Sequence, residues 1–248
     1  MTTVKNIYDY INSFAPFSTQ EGWDNSGVLI GDRRAEVKKC VVALDVTKEV
    51  LDFAVKNSAQ LIVSHHPVIF GSVKSVAADT VIYDAVKNDV AVVSAHTNYD
   101  VALGGINDVL AKNLELTDVM ADESGFLRYG KLENSMTCEE FAKYIKEKLS
   151  CESVRFSHTD RKISTVAVCG GAGADFIDSA MTVADAYVTG DLSYHNILDA
   201  SEQDYCVVAA GHFETEVAGA MALCDKLAAL FTDVEFTKAP QKNSVKTV

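Results

Sequence analysis

At 248 residues, 48% of them hydrophobic, the chain is long enough to bury a full core, as one large domain or two small ones. A formal net charge of −13 argues against a nucleic-acid backbone as the main partner, because phosphate binding needs clustered Lys and Arg. No apolar run approaches the ~20 residues needed to span a bilayer, which leaves no membrane role.

Met1 to Phe14 mixes Lys5, Asp9 and Asn12 into an apolar pattern. It lacks the apolar stretch of a signal peptide and is expected to form an amphipathic helix. Arg33, Arg34, Lys38 and Lys39 make the one short basic cluster, which reads as solvated surface. Strands are expected at Cys40–Leu44, Leu61–Val63, Val90–Val93, Val166–Cys169, Ala186–Val188 and Tyr205–Ala209. Helical patterns fall near Lys48–Asn57, Thr80–Lys87, Ile106–Asn113, Ala174–Val183, Leu192–Ser201 and Thr215–Leu230. Thr137 and Glu140 form a capping box for a further helix through about Leu149. Strands separated by helix-length segments predict an α/β fold with mainly parallel sheets. The six cysteines have no paired spacing, so a reducing, cytoplasmic protein without a disulfide framework is expected.

The halves of the chain echo each other. Cys40–His66 and Thr165–Asp191 align without a gap, each as strand, helix, strand and polar end. The following strands lead to His96 with Asp100 four residues on, and to His212 with Glu216 four residues on. Two similar α/β lobes are therefore predicted, with residues 1–122 and 211–248 in a first lobe carrying the site and 123–210 in a second. The boundary is placed in Leu116–Gly125, where polar residues break the pattern.

His65 and His66 follow the apolar run Leu61–Val63 and precede Pro67. They stand at a strand's carboxyl end, where open α/β sheets place ligands. A lone histidine there is more often structural; two together, with partners downstream, favour a ligand role. Parallel strands would bring His65-His66, His96/Asp100 and His212/Glu216 to one rim. A helix starting near His212 would put Glu216 on the same face, although Glu216 could instead serve only the helix terminus. Asp100 has an equally simple reading as a loop or capping residue. Histidines and carboxylates without cysteine suit zinc, manganese, iron, nickel or cobalt. Five or six such groups suit two divalent ions sharing a carboxylate, which makes hydrolysis the default reaction class. Gly170–Gly173 could cradle a phosphate but lacks the P-loop Lys-Ser/Thr, and a tight strand-to-helix turn is the better reading. Trp23, Asp24 and Asn25 are expected to shape the rim, His195 to sit on the surface or cap a helix, and His158 to be an ordinary loop residue.

Glu21–Gly27, Ser64–Pro67, Ser94–Asp100, Thr189–Asp191 and Gly211–Glu216, in this order, resemble the motifs of the Nif-three-like (YbgI-type) family, named GTP cyclohydrolase 1 type 2 homologs. The resemblance covers nearly the whole chain. It implies two similar α/β lobes, a dinuclear metal centre and a ring-shaped homohexamer. The family's metal ligands fall on His65, His66, Asp100, His212 and Glu216, with Glu216 bridging and the two adjacent histidines reaching different ions. His96 would sit just outside the ligand set and move protons as the catalytic residue. The expectation is a metal-dependent hydrolase of a small, nucleotide-like or phosphorylated substrate. Its rivals are a non-catalytic metal-binding protein (store, chaperone or regulatory scaffold) and a nucleotide-binding interaction module.

Overall fold

A computed structural model describes residues 1–246 as two compact units, one comprising Met1–Gly105 with Ala220–Lys242 and the other Ile106–Gly219 with the segment from Asn243. The first opens with α1 (Val4–Phe14), whose Val4, Ile7 and Ile11 are buried at helical spacing and whose Thr3 and Asn6 form a reciprocal cap. It continues through β1 (Gly27–Ile30), β2 (Lys39–Ala43), α2 (Lys48–Lys56), β3 (Leu61–Ser64), α3 (Val81–Lys87), β4 (Ala91–Ser94) and α4 (Thr97–Val101). The second contains α5 (Ile106–Asn113), β5 (Thr117–Ala121), β6 (Arg128–Met136), α6 (Cys138–Lys148), β7 (Arg155–Phe156) and β8 (Ile163–Cys169). It ends with α7 (Ile177–Val183), β9 (Ala186–Thr189), α8 (Tyr194–Glu202), β10 (Cys206–Ala209) and the start of α9 (His212–Leu230). The rest of α9 and β11 (Glu235–Lys238) belong to the first unit.

The first unit's sheet has the order β1-β4-β3-β2-β11, with β4, β3, β2 and β11 parallel and β1 antiparallel at the edge. The second sheet has the order β5-β6-β8-β9-β10-β7. Parallel pairing is confined there to β8, β9 and β10, so "mainly parallel" describes the first sheet and only the centre of the second. A β5–β6 hairpin accounts for part of the difference. The expected boundary segment, Leu116–Gly125, is largely strand β5, every residue of which is solvent-exposed, Val119 and Met120 included. The chain passes between units earlier, at Gly105/Ile106, because Leu110, Ala111, Leu114 and Leu116 bury themselves with Phe141, Ile145, Val166 and Val208 in a second-unit core.

The six expected strands are present, and their unbroken apolar character follows from burial on both faces. Along β8, Val166 and Val168 join the core with Phe141, while Ala167 and Cys169 join a separate core with Tyr187 and Ile177. All six cysteines are buried and free. No helix among the described residues is long and apolar enough to cross a membrane.

Candidate metal centre

In the first unit, β3 ends in Ser64 and the chain runs on as His65-His66. The ladder continues for two residues, since the His65 and His66 N–H groups donate to the Ala43 and Leu44 carbonyls at 3.1 and 2.9 Å. The turn before Pro67 then brings the two rings to the same side, with centroids 5.0 Å apart. His96, the residue preceding α4, lies 5.1 and 5.6 Å from them, ring centre to ring centre. A nitrogen from each of the three rings falls within 4.8 Å of the others.

Each ring is oriented through Nδ1. His65, only 1% exposed, donates from Nδ1 to the Ala95 carbonyl at 2.9 Å if it carries the tautomer that this bond requires. His66 Nδ1 meets Asp45 Oδ1 at 2.8 Å, and His96 Nδ1 meets Asp24 Oδ1 at 2.9 Å. With Nδ1 so engaged, Nε2 is the atom through which each ring could meet a metal ion or a proton. His65 Nε2 faces Asp100 Oδ1 at 3.4 Å.

Asp24 does more than orient His96. Its buried carboxylate also accepts from Ser26 Oγ at 3.0 Å, Thr97 Oγ1 at 2.5 Å, and the N–H groups of Asn25 at 2.6 Å and Thr97 at 3.1 Å. Burial alone would raise its pKa, but the His96 and Thr97 hydrogen bonds hold it well below the usual carboxylate range.

In the second unit, Gly211 in a left-handed conformation (φ +94°) ends the run after β10, and α9 begins at His212. The expected helix therefore starts three residues earlier than Thr215, whose hydroxyl bonds back to the Gly211 and His212 carbonyls. His212 Nδ1 meets Asp191 Oδ2 at 2.6 Å, and His212 Nε2 faces Glu216 Oε2, one helical turn on, at 3.1 Å. Burial opposes protonation of His212, but Asp191 and Glu216 outweigh it and push its pKa up to about 10.

The Gly170–Gly173 turn makes room for this pair. A Cβ on Gly171 (φ +65°) would lie 2.1 Å from Glu216 Oε1, and one on Gly170 3.1 Å from Glu216 Cγ. Three of the turn's N–H groups are committed to protein: Gly170 to Asn107 Oδ1, Gly171 to Thr215 Oγ1 and Gly173 to Thr189 Oγ1. It is the tight turn the sequence favours over a phosphate cradle.

These residues fit a divalent cation. An imidazole lone pair facing a carboxylate oxygen is repulsive unless a proton or cation lies between them. Two donors sharing a tetrahedral zinc-like ion at ~2.0–2.2 Å stand roughly 3.3 Å apart. The His65–Asp100 and His212–Glu216 separations of 3.4 and 3.1 Å match that spacing. Of the expected site residues, His65, His66, His96 and Asp100 meet in the first unit, and His212 and Glu216 meet in the second. The orienting role of Asp45, Asp24 and Asp191 was not legible from the sequence. Asp45 carried a usable signal, a carboxylate directly after a strand end. His158 lies exposed beside Asp160, and Tyr194 and His195 open α8 after its Ser193 cap.

A two-unit α/β protein with histidines and carboxylates at its parallel strand ends is the class this fold and site define. The family model for Duf34/NIF3 (NGG1p interacting factor 3) matches residues 2–244, and the chain belongs to that family. It is 36% identical over 238 residues to the GTP cyclohydrolase 1 type 2 homolog of Clostridium acetobutylicum, covering 90% of this chain and 89% of that one. The crystal structure of a hypothetical protein from Staphylococcus aureus matches with a TM-score of 0.92 at 27% identity, covering 99% of both chains. Reduced HcgD from Methanocaldococcus jannaschii matches with a TM-score of 0.82 at 30% identity, covering 96% of this chain and 98% of that one.

Proposed function

We propose that the protein is a metal-dependent hydrolase of a small nucleotide-like or phosphorylated substrate. The observation that carries this reading is the repeated geometry of an Nδ1-anchored imidazole whose Nε2 faces a carboxylate at the donor spacing of a shared ion. His65, His66, Asp100, His212 and Glu216 would hold the two divalent ions that the family resemblance implies. Zinc, manganese, iron, nickel and cobalt all suit this donor set. When bound, such ions acidify water to a nucleophile near neutral pH and neutralise charge developing on the substrate.

The chain's own residues supply the rest. Asp45, Asp24 and Asp191 fix the tautomer and the tilt of His66, His96 and His212, as outer partners of metal-ligating histidines do. His96 then presents Nε2 as the atom that accepts and returns a proton, its ring held by a carboxylate that stays ionised. The names of the curated relatives favour a nucleotide-like substrate. A ring-shaped homohexamer is the assembly the family resemblance implies, and the unpaired cysteines suit a reducing, cytoplasmic setting.

Metal analysis of the purified protein, together with a panel of nucleotides and phosphoesters, tests the reading. Two ions per chain with turnover of at least one substrate is the expected result. Two ions without turnover would hand the site to a non-catalytic metal store or scaffold.

A further inference from the structure

We infer that Trp23 and Phe70 form an aromatic clamp that binds the planar heterocyclic ring of a ligand beside His96. The two side chains are 59% and 56% exposed, far more than is usual for rings of their size. Their centroids stand 5.8 Å apart at an interplanar angle of 44°, a tilted pair in contact and not a parallel stack, with surface of both rings left exposed. Both present themselves edge-to-face to the His96 imidazole, at 6.0 and 6.1 Å.

Their placement is built into the fold. Trp23 precedes Asp24, whose carboxylate ties this loop to His96 and Thr97, and the Glu21 N–H adds a bond to Thr97 Oγ1 at 3.0 Å. Phe70 follows Ile69, whose carbonyl accepts from Asn25 Nδ2 at 2.7 Å, a bond joining the two loops across 44 residues. The exposed rings are therefore carried by backbone that hydrogen bonds hold in place. Pre-ordering of this kind lowers the entropy cost of capturing a ligand. Stacking on aromatic faces favours any π-faced ring over a particular base, which is how stacking platforms behave. The committed ligand class is thus a small molecule with a planar heteroaromatic ring, its remainder reaching toward the histidines. This rests on the reading of the first-unit histidines as a functional site, and it names the substrate's recognised part.

Trp23 is the only tryptophan, so its fluorescence reports on the clamp alone. The full chain, both as purified and after chelator treatment, would be titrated with AMP, GMP and CMP, with ribose 5-phosphate as the ring-free control. Saturable quenching by the nucleotides and none by ribose 5-phosphate is expected. Phe70→Ala should weaken binding roughly 5- to 150-fold, the range for removing one aromatic platform, while Phe70→Tyr should restore it. Equal quenching by ribose 5-phosphate, no quenching by any nucleotide at millimolar concentration, or an unchanged Phe70→Ala titration would overturn the clamp. So would a change of oligomeric mass in Phe70→Ala without a change in ligand affinity, since the rings would then serve self-association. Quenching without any turnover counts against the hydrolase and leaves the clamp standing; turnover indifferent to Phe70 does the reverse.

Discussion

The two units solve the same local problem differently. Each carries parallel strands whose last residues lead into a histidine with a carboxylate four positions later, His96/Asp100 in one and His212/Glu216 in the other. In the second unit the pair closes on itself, His212 Nε2 against Glu216. In the first, Asp100 serves His65, and His96 turns to Asp24. The position aligned with His65-His66 explains why. It is Gly190-Asp191 in the second unit, where a Cβ on Gly190 would stand 2.8 Å from His212 Cα. The neighbouring strand end comes too close there to admit an imidazole. The pairing register also differs: Val41 pairs with Ile62, but the aligned Val166 pairs with Ala186, the counterpart of Leu61. A shift of one residue exchanges the faces of a strand. The first unit thus displays two adjacent histidines, and the second displays an orienting carboxylate, Asp191, for its single one.

Breaking the second unit's pair should have the largest effect. Glu216→Gln is expected to weaken metal binding beyond the roughly 10- to 100-fold that removal of an outer partner costs. Metal content per chain measures it, and an unchanged content would remove Glu216 from the ligand set. Gly171→Ala comes next, because it both strains a φ of +65° and drives a methyl into the Glu216 carboxylate. A stability loss of about 1–3 kcal/mol in denaturant titration is expected, together with reduced metal content.

The orienting carboxylates give a direct contrast between the units. Asp24→Asn removes the charge from a buried group with several donors, so both stability (by about 1–3 kcal/mol) and activity should fall. Asp191, 59% exposed at its side chain, has no such structural load. Asp191→Asn should lower metal affinity ~10- to 100-fold with little change in the denaturation midpoint of the chelated protein. Equal stability losses in the two variants would erase the distinction drawn between the units. Asp45→Asn, at a half-exposed partner of His66, should show the smallest effect, nearer ~10-fold in metal affinity.

Much of this was legible because the signals are local. Apolar runs bounded by helical patterns mark the buried strands, and Thr137 with Glu140 marks α6. The edge and hairpin strands were not legible. β5 is wholly exposed, β6 mixes Arg128, Lys131 and Glu133 into its run, and β11 is short and mostly polar. β11 owes its existence to β2, far along the chain, and the β5–β6 hairpin to its place beside β8. Asp24 and Asp191 stood in plain view within the motifs, but nothing in their spacing said that each would seat against an imidazole Nδ1, 72 and 21 residues away respectively.

By itself, then, the sequence determined which residue types stand at the strand ends, and hence the chemistry available there. His65-His66 and the two histidine–carboxylate spacings are covalent facts that any α/β fold would carry to a strand terminus. Tertiary structure decided the assignments among them: Asp100 to His65, Asp24 to His96, Asp191 to His212, and Gly171 and Gly190 as the space that Glu216 and His212 need. Side chains a few ångströms apart are selected by strand register and backbone approach, and those are set only when the sheets assemble.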